Sequence, residues 1–168
     1  MASTLKVNTI QHTGGTTALT IDSSGRLLTP TLPYIHAQGD TDGNVNVANN
    51  AAINFTLSRT SSFSRGITLV NGTDFTVPIA GIYFFTASVY FSDSNTSCRI
   101  QLKQNGSFNN PHGGLTQNGA AASRSISITQ ILELSASDHI QVCNGSGGTR
   151  STYNGNNHTF ASMYLISG

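Results

Sequence analysis

A chain of 168 residues has the size of one domain with an appendage, enough to bury a real core. Charged residues make up 9% and the formal net charge is +1, against roughly 25% charged residues in an ordinary soluble domain. The Lys and Arg residues are scattered singly, which argues against nucleic acid as a partner, and no apolar run is long enough to predict membrane insertion.

Met1 to Lys6 contains no apolar h-region, so folding and assembly in a cytoplasm are the expectation. The next stretch, Val7 to Leu28, alternates like strands and breaks at Gly14-Gly15 and Ser23-Ser24-Gly25. The sizeable apolar groups from Leu5 onward, Leu5, Val7, Ile10, Leu19, Ile21, Leu27 and Leu28, are too few for a core. A lone two-stranded hairpin of this kind is marginal in water and orders by pairing with another surface. Residues 1–33 therefore read as an extended β arm, closed by the stiff linker Thr29-Pro-Thr-Leu-Pro33.

Residues 34–168 read as a head built of strands. Weak strand patterns occur at Tyr34–Gln38, Ala52–Leu57 and Gly66–Val70. The clearest run is Pro78–Phe91, where Tyr83, Phe85, Ala87, Val89 and Phe91 form one apolar face and Ile82, Phe84 and Tyr90 another. A strand apolar on both faces is covered on both sides. Cys98, Ile100 and Leu102 alternate with Arg99, Gln101 and Lys103. Ile126, Ile128, Leu132 and Leu134 share a face, Ala136-Ser137-Asp138 turns the chain, and Ile140 and Val142 resume the core. Thr159–Ile166 closes the chain, again apolar on both faces. Two stretches read as long loops, Gln104–Ser123 and Asn144–Asn157, and loops of that length are functional or mobile. Isolated His112, Arg150 and Tyr153 within them are the candidate receptor contacts. Many short strands with turn signals between them argue for a β-sandwich or jelly roll.

Catalytic chemistry finds no constellation. The five histidines fall in separate elements, Glu133 is the single glutamate, and Ser137-Asp138-His139 are adjacent and cannot converge as a triad. No catalytic residue, cofactor or metal is predicted. Asp40–Asn46 has its glycine at the wrong place for a calcium loop and Ala51 where a bidentate Glu is needed, so an Asx-held turn is the better reading. Cys98 and Cys143 have opposite strand parity and read as free thiols. The Asn-x-Ser/Thr triplets, at Asn54, Asn71, Asn95, Asn105, Asn144 and Asn157, read as a by-product of composition.

Phe75-Thr-Val-Pro-Ile-Ala-Gly81-Ile-Tyr83-Phe-Phe85 resembles the signature of the C1q/TNF-like jelly-roll family, a Phe followed by Gly-x-Tyr-x-Phe. Leu132-Glu-Leu134-Ser-Ala-Ser137-Asp138-His-Ile140-Gln-Val142 is similar to that family's paired strands, with Ser137 in place of the turn glycine. His158–Leu165 is similar to its last strand, and Ala87 departs from a frequent aromatic. The resemblance implies an all-β jelly-roll sandwich that assembles as a homotrimer. It implies Tyr83, Phe85, Phe160 and Tyr164 in the core, and Ile82, Phe84, Ala161, Met163 and Leu165 at the trimer interface. Residues 1–28 resemble the N-termini of structural proteins of tailed bacteriophages, cyanophages especially. That second resemblance implies a capsid decoration or cement protein on the virion surface. Its partners would be itself and the major capsid or another virion protein, with Leu5, Val7, Ile10, Leu19 and Ile21 in the attachment. A receptor-binding tail-fibre head, holding a host cell-surface glycan, is the alternative.

Overall fold

The computed structural model describes residues 7–15, 17–29, 32–93, 97–108, 115–118 (backbone only), 124–155 and 158–168. Among them no helix occurs; every regular element is a strand. The chain divides into two compact units, Met1–Leu32 and Pro33–Gly168.

The first unit is a three-stranded antiparallel sheet, β1 (Thr9–Gln11), β2 (Thr17–Ile21) and β3 (Leu27–Leu28). The predicted hairpin thus gains a third strand, because the Asp22–Arg26 turn is strongly specified. Asp22 Oδ1 accepts the amides of Ser24 and Arg26 at 2.9 Å each, and its Oδ2 meets Arg26 Nε at 2.7 Å. The backbone and side chain of Arg26 hold this carboxyl below the usual carboxylate range. Gly25, at φ 77°, supplies the left-handed residue the turn needs. Among this unit's described residues none is buried.

The second unit is a sandwich. Its larger sheet has the strand order β5 (Asn44–Val47), β15 (Arg150–Tyr153), β10 (Gly81–Phe91), β16 (Phe160–Ser167), β4 (Tyr34–Gly39), β6 (Phe55–Thr56). Off this path, β13 (Arg124–Leu134) pairs with β10 and β7 (Phe63–Arg65) with β4. The smaller sheet runs β12 (Leu115–Asn118), β11 (Ser97–Gln104), β14 (His139–Asn144), β9 (Asp74–Thr76), β8 (Thr68–Val70).

Between the sheets lie the faces that alternation predicts: Tyr83, Phe85, Ala87, Val89 and Phe91 of β10, Ile126, Ile128, Leu132 and Leu134 of β13, and Cys98, Ile100 and Leu102 of β11. Phe55, Phe75 and Phe85 meet edge to face through this core, at centroid distances of 5.3 and 5.8 Å. Tyr83 is fully buried, so its hydroxyl needs a partner and donates to the Ile79 carbonyl at 2.9 Å. Gly81 is required by close approach, since a Cβ there would sit 2.6 Å from the Ser167 carbonyl oxygen. Ser137 stands at φ 72°, in the left-handed region that suits the glycine it replaces.

Three expectations are corrected. The last strand has the opposite parity: Ala161, Met163 and Leu165 are buried in the core, while Phe160 is half-buried and Tyr164 47% exposed on the outer face. The cause is register, for Leu165, Met163 and Ala161 stand opposite the inward-facing Tyr83, Phe85 and Ala87. The long loops are interrupted, one by β12 and the other by β15, because pairing with β11 and with β10 and β5 overrides their weak patterns. Finally, the Asp40–Asn46 turn runs into β5 at Asn44, paired with β15. Both cysteines are buried free thiols, with burial pushing Cys143 up to about 11.

Candidate assembly face

The outer face of the larger sheet carries side chains in rows, fixed by strand register. Ile131 stands opposite Phe84, Phe84 opposite Tyr164, Tyr164 opposite Tyr34, and Tyr34 opposite Arg65. Within this row Phe84 and Tyr164 stack at 5.1 Å, and the Arg65 guanidinium lies 5.0 Å from the centre of the Tyr34 ring. Ile131 and Ile166 on the same sheet are exposed, at 65% and 49%.

The next row reads Thr129, Thr86, Ser162, His36, Phe63. Its polar side chains pair within the protomer: Thr86 and Thr129 hydroxyls lie 3.0 Å apart, and His36 Nδ1 lies 2.7 Å from Ser162 Oγ. His36 stacks on Phe63 at 5.5 Å and tilts against Phe160 at 5.8 Å. Desolvation by these neighbours pulls the imidazole below the usual histidine range. The third row, Ser127, Ser88, Phe160, Gln38, repeats the pattern, with Ser127 Oγ donating to Ser88 Oγ at 3.1 Å. At the end of β10, Tyr90, Tyr153 and His158 meet edge to face at 5.0 to 6.2 Å.

Of the residues predicted for an interface, Ile82 and Phe84 lie on this face, and Ala161, Met163 and Leu165 lie behind it in the core. Sequence reasoning missed Tyr34, Phe63 and His36. Tyr34 and His36 alternate with buried Ile35 and Ala37, a usable signal, whereas Phe63 sits in a Ser-rich stretch with no period. Among the predicted receptor contacts, His112 lies outside the described residues. Arg150 is turned inward along the chain, its Nε donating to the Ser97 carbonyl at 3.0 Å and its other nitrogens to Thr149 and Ser146. Tyr153 belongs to the ring cluster on β10 and β15. In the first unit Ile10 stands opposite Leu19, and Ile21 opposite Leu27, so these four share one apolar face; Val7 precedes β1, and Leu5 lies outside the described residues.

Among the described residues no group of three or more His, Cys, Asp or Glu side chains could hold a metal ion. Asp40 accepts from Asn154 and Asp42 pairs with Arg59, so the two carboxylates face different partners. An open hollow of about 520 Å³ between β10, β13 and the chain end is lined by Glu133 and Asp138. Both Asp138 oxygens are already committed, to Asn105, Gln104 and the Ser135 amide.

The sandwich, with its two-faced central strands, is a TNF/C1q-like jelly roll. Solved structures of that class superpose on the chain with a TM-score of 0.64. For the Eiger TNF of S. frugiperda the identity is 18%, over 81% of this chain and 93% of that one. Murine APRIL, in a crystal structure at pH 5.0, reaches the same TM-score of 0.64 at 14% identity, over 80% of this chain and 99% of that one. No protein-family model and no curated protein matches the sequence.

Proposed function

We propose that this chain is a non-enzymatic virion structural protein, a homotrimeric jelly-roll head that decorates a phage capsid and is held there by its N-terminal unit. The observation that carries the reading is the first unit: a small sheet with an apolar face formed by Ile10, Leu19, Ile21 and Leu27 and no buried residue among those described. Such a sheet lacks a core of its own and gains one by packing against a partner. Its sequence resembles the N-termini of tailed-phage structural proteins, so the partner is assigned as the major capsid protein or another virion protein. The rows of Phe84, Tyr164, Tyr34 and Phe63 supply the trimer contact, since a patch of aromatics this continuous is unusual on a monomer. The mature location would be the virion surface, after assembly in the host cytoplasm.

The test compares the full chain with one beginning at Pro33 on particles that lack the protein. The full chain should bind, and the shortened one should remain a folded trimer that does not. Equal binding by both, or an unfolded head, overturns the reading. The Tyr90, Tyr153 and His158 cluster favours a second reading, a receptor-binding head that stacks a host glycan on its rings. Copy number separates them, with hundreds of copies per particle for a cement protein and a few for a fibre.

A further inference from the structure

The assembly face carries a histidine, His36, in the middle of its rows. His36 is held between Phe63 and Phe160, with Nδ1 on Ser162 Oγ, and it alternates with buried Ile35 and Ala37, which puts it on the outer face of the sheet. Its own strand contributes Tyr34, β16 contributes Tyr164, and β7 contributes Arg65, whose guanidinium lies over Tyr34. The strands β4, β7 and β16 contain no carboxylate. Beyond β6, Arg59 is directed to the Gly39 carbonyl and to Asp42. A proton gained by His36 therefore meets no carboxylate among the residues of the three strands that pack around it.

We infer that His36 makes assembly through this face proton-dependent, with the trimer favoured when the imidazole is neutral and released as it becomes charged. The inference rests on the trimer reading above and names how that assembly is regulated. Burial against two further copies disfavours three imidazolium ions brought together. The sign follows from linkage. A base whose pKa is lower in the trimer than in the free protomer stabilises the trimer above the free protomer's pKa. That stabilisation is lost as pH falls below it. Each copy takes up one proton on release. The dissociation constant of the trimer should then rise by about tenfold per copy, approaching about a thousandfold per pH unit, below the free imidazole's pKa.

Sedimentation of the full chain, from about pH 8 to about pH 5, measures this constant beside the His36→Gln variant. Gln keeps a hydrogen-bonding group beside Ser162 and cannot charge, so the slope against pH is compared and not the absolute constant. The inference expects a steep slope for the wild type and a nearly flat one for His36→Gln. Equal slopes, or a trimer that tightens on acidification because a neighbour's carboxylate such as Glu133 meets the imidazole, overturn it while leaving the trimer intact. A wild type already monomeric at about pH 8 overturns the trimer reading and this inference with it. If His36→Gln fails to fold, the wild-type slope decides alone, and a flat one refutes the inference.

Discussion

Met163 and Tyr164 are neighbours in sequence on opposite faces of β16, and truncating each should produce different losses. Met163 is fully buried opposite Phe85, so Met163→Ala removes a core side chain and leaves a cavity. Such substitutions cost about 2–5 kcal/mol, the lost transfer energy plus the void. For a head of this size that lowers the melting temperature by roughly 6–15 °C. Tyr164 is half exposed and stacked on Phe84. Within one protomer Tyr164→Ala forfeits about 0.5–1.5 kcal/mol of ring pairing, but it removes the centre of the aromatic row. Urea unfolding and sedimentation equilibrium, run side by side, read both properties. Met163→Ala should unfold early and, where still folded, remain trimeric; Tyr164→Ala should keep its unfolding midpoint within a small shift and lose the trimer. The reverse outcome, a stable Met163→Ala monomer beside an unstable Tyr164→Ala trimer, would refute the register argument.

Ser137→Gly should stabilise the head by about 1 kcal/mol, because a left-handed backbone strains a residue with a Cβ; an unchanged or lower urea midpoint would refute that account. The Asn105 side chain, with the Ser135 amide and Gln104, holds Asp138 below the usual carboxylate range. A carboxylate with a depressed folded pKa stabilises above its unfolded pKa of about 3.9 and loses that contribution as pH falls further, so Asp138→Asn should flatten the acid limb of stability against pH. A variant with the wild-type acid slope would show that the turn adds nothing there. Burial raises both thiols, Cys143 to about 11, so thiol reagents at neutral pH should label Cys98 and Cys143 only at the rate of unfolding. Fast labelling in the native state would contradict their burial.

Much of this fold was legible because each of its longest strands carries one parity that is apolar almost throughout. Tyr83 to Phe91, Cys98 to Leu102 and Ile126 to Leu134 each presented one apolar parity to be buried, and each buries it. The last strand failed where alternation carries no information: Phe160-Ala-Ser-Met-Tyr-Leu-Ile offers apolar groups on both parities. The family resemblance implies Phe160 and Tyr164 inward, but the slots opposite Phe85 and Ala87 take Met163 and Ala161. The strands β12 and β15 were hidden for a different reason. Their stability comes from hydrogen bonds to β11, β10 and β5, partners distant in sequence, while Leu-Thr-Gln-Asn and Arg-Ser-Thr-Tyr taken alone look like loop. The same long-range pairing assembles the outer rows, which draw Tyr34, Phe63, Phe84, Ile131 and Tyr164 from five strands.

The polar rows beside the aromatic one bear on how such a face could be buried at all. Taking a hydroxyl out of water without a partner costs about 1–3 kcal/mol on mutational scales, so a row of Thr and Ser would ordinarily oppose association. Here Thr86 bonds Thr129, Ser88 bonds Ser127 and Ser162 bonds His36, each pair closed within one protomer. Much of the hydrogen-bonding capacity that association would strip of water is thus already met before any copy arrives, and the apolar row can act with little opposing cost. Of these three pairs only the last contains an ionisable group. Protonation at the centre of the rows therefore leaves the two hydroxyl pairs unchanged and alters only the pair with His36, which is why a single neutral substitution there should separate the pH dependence of assembly from assembly itself.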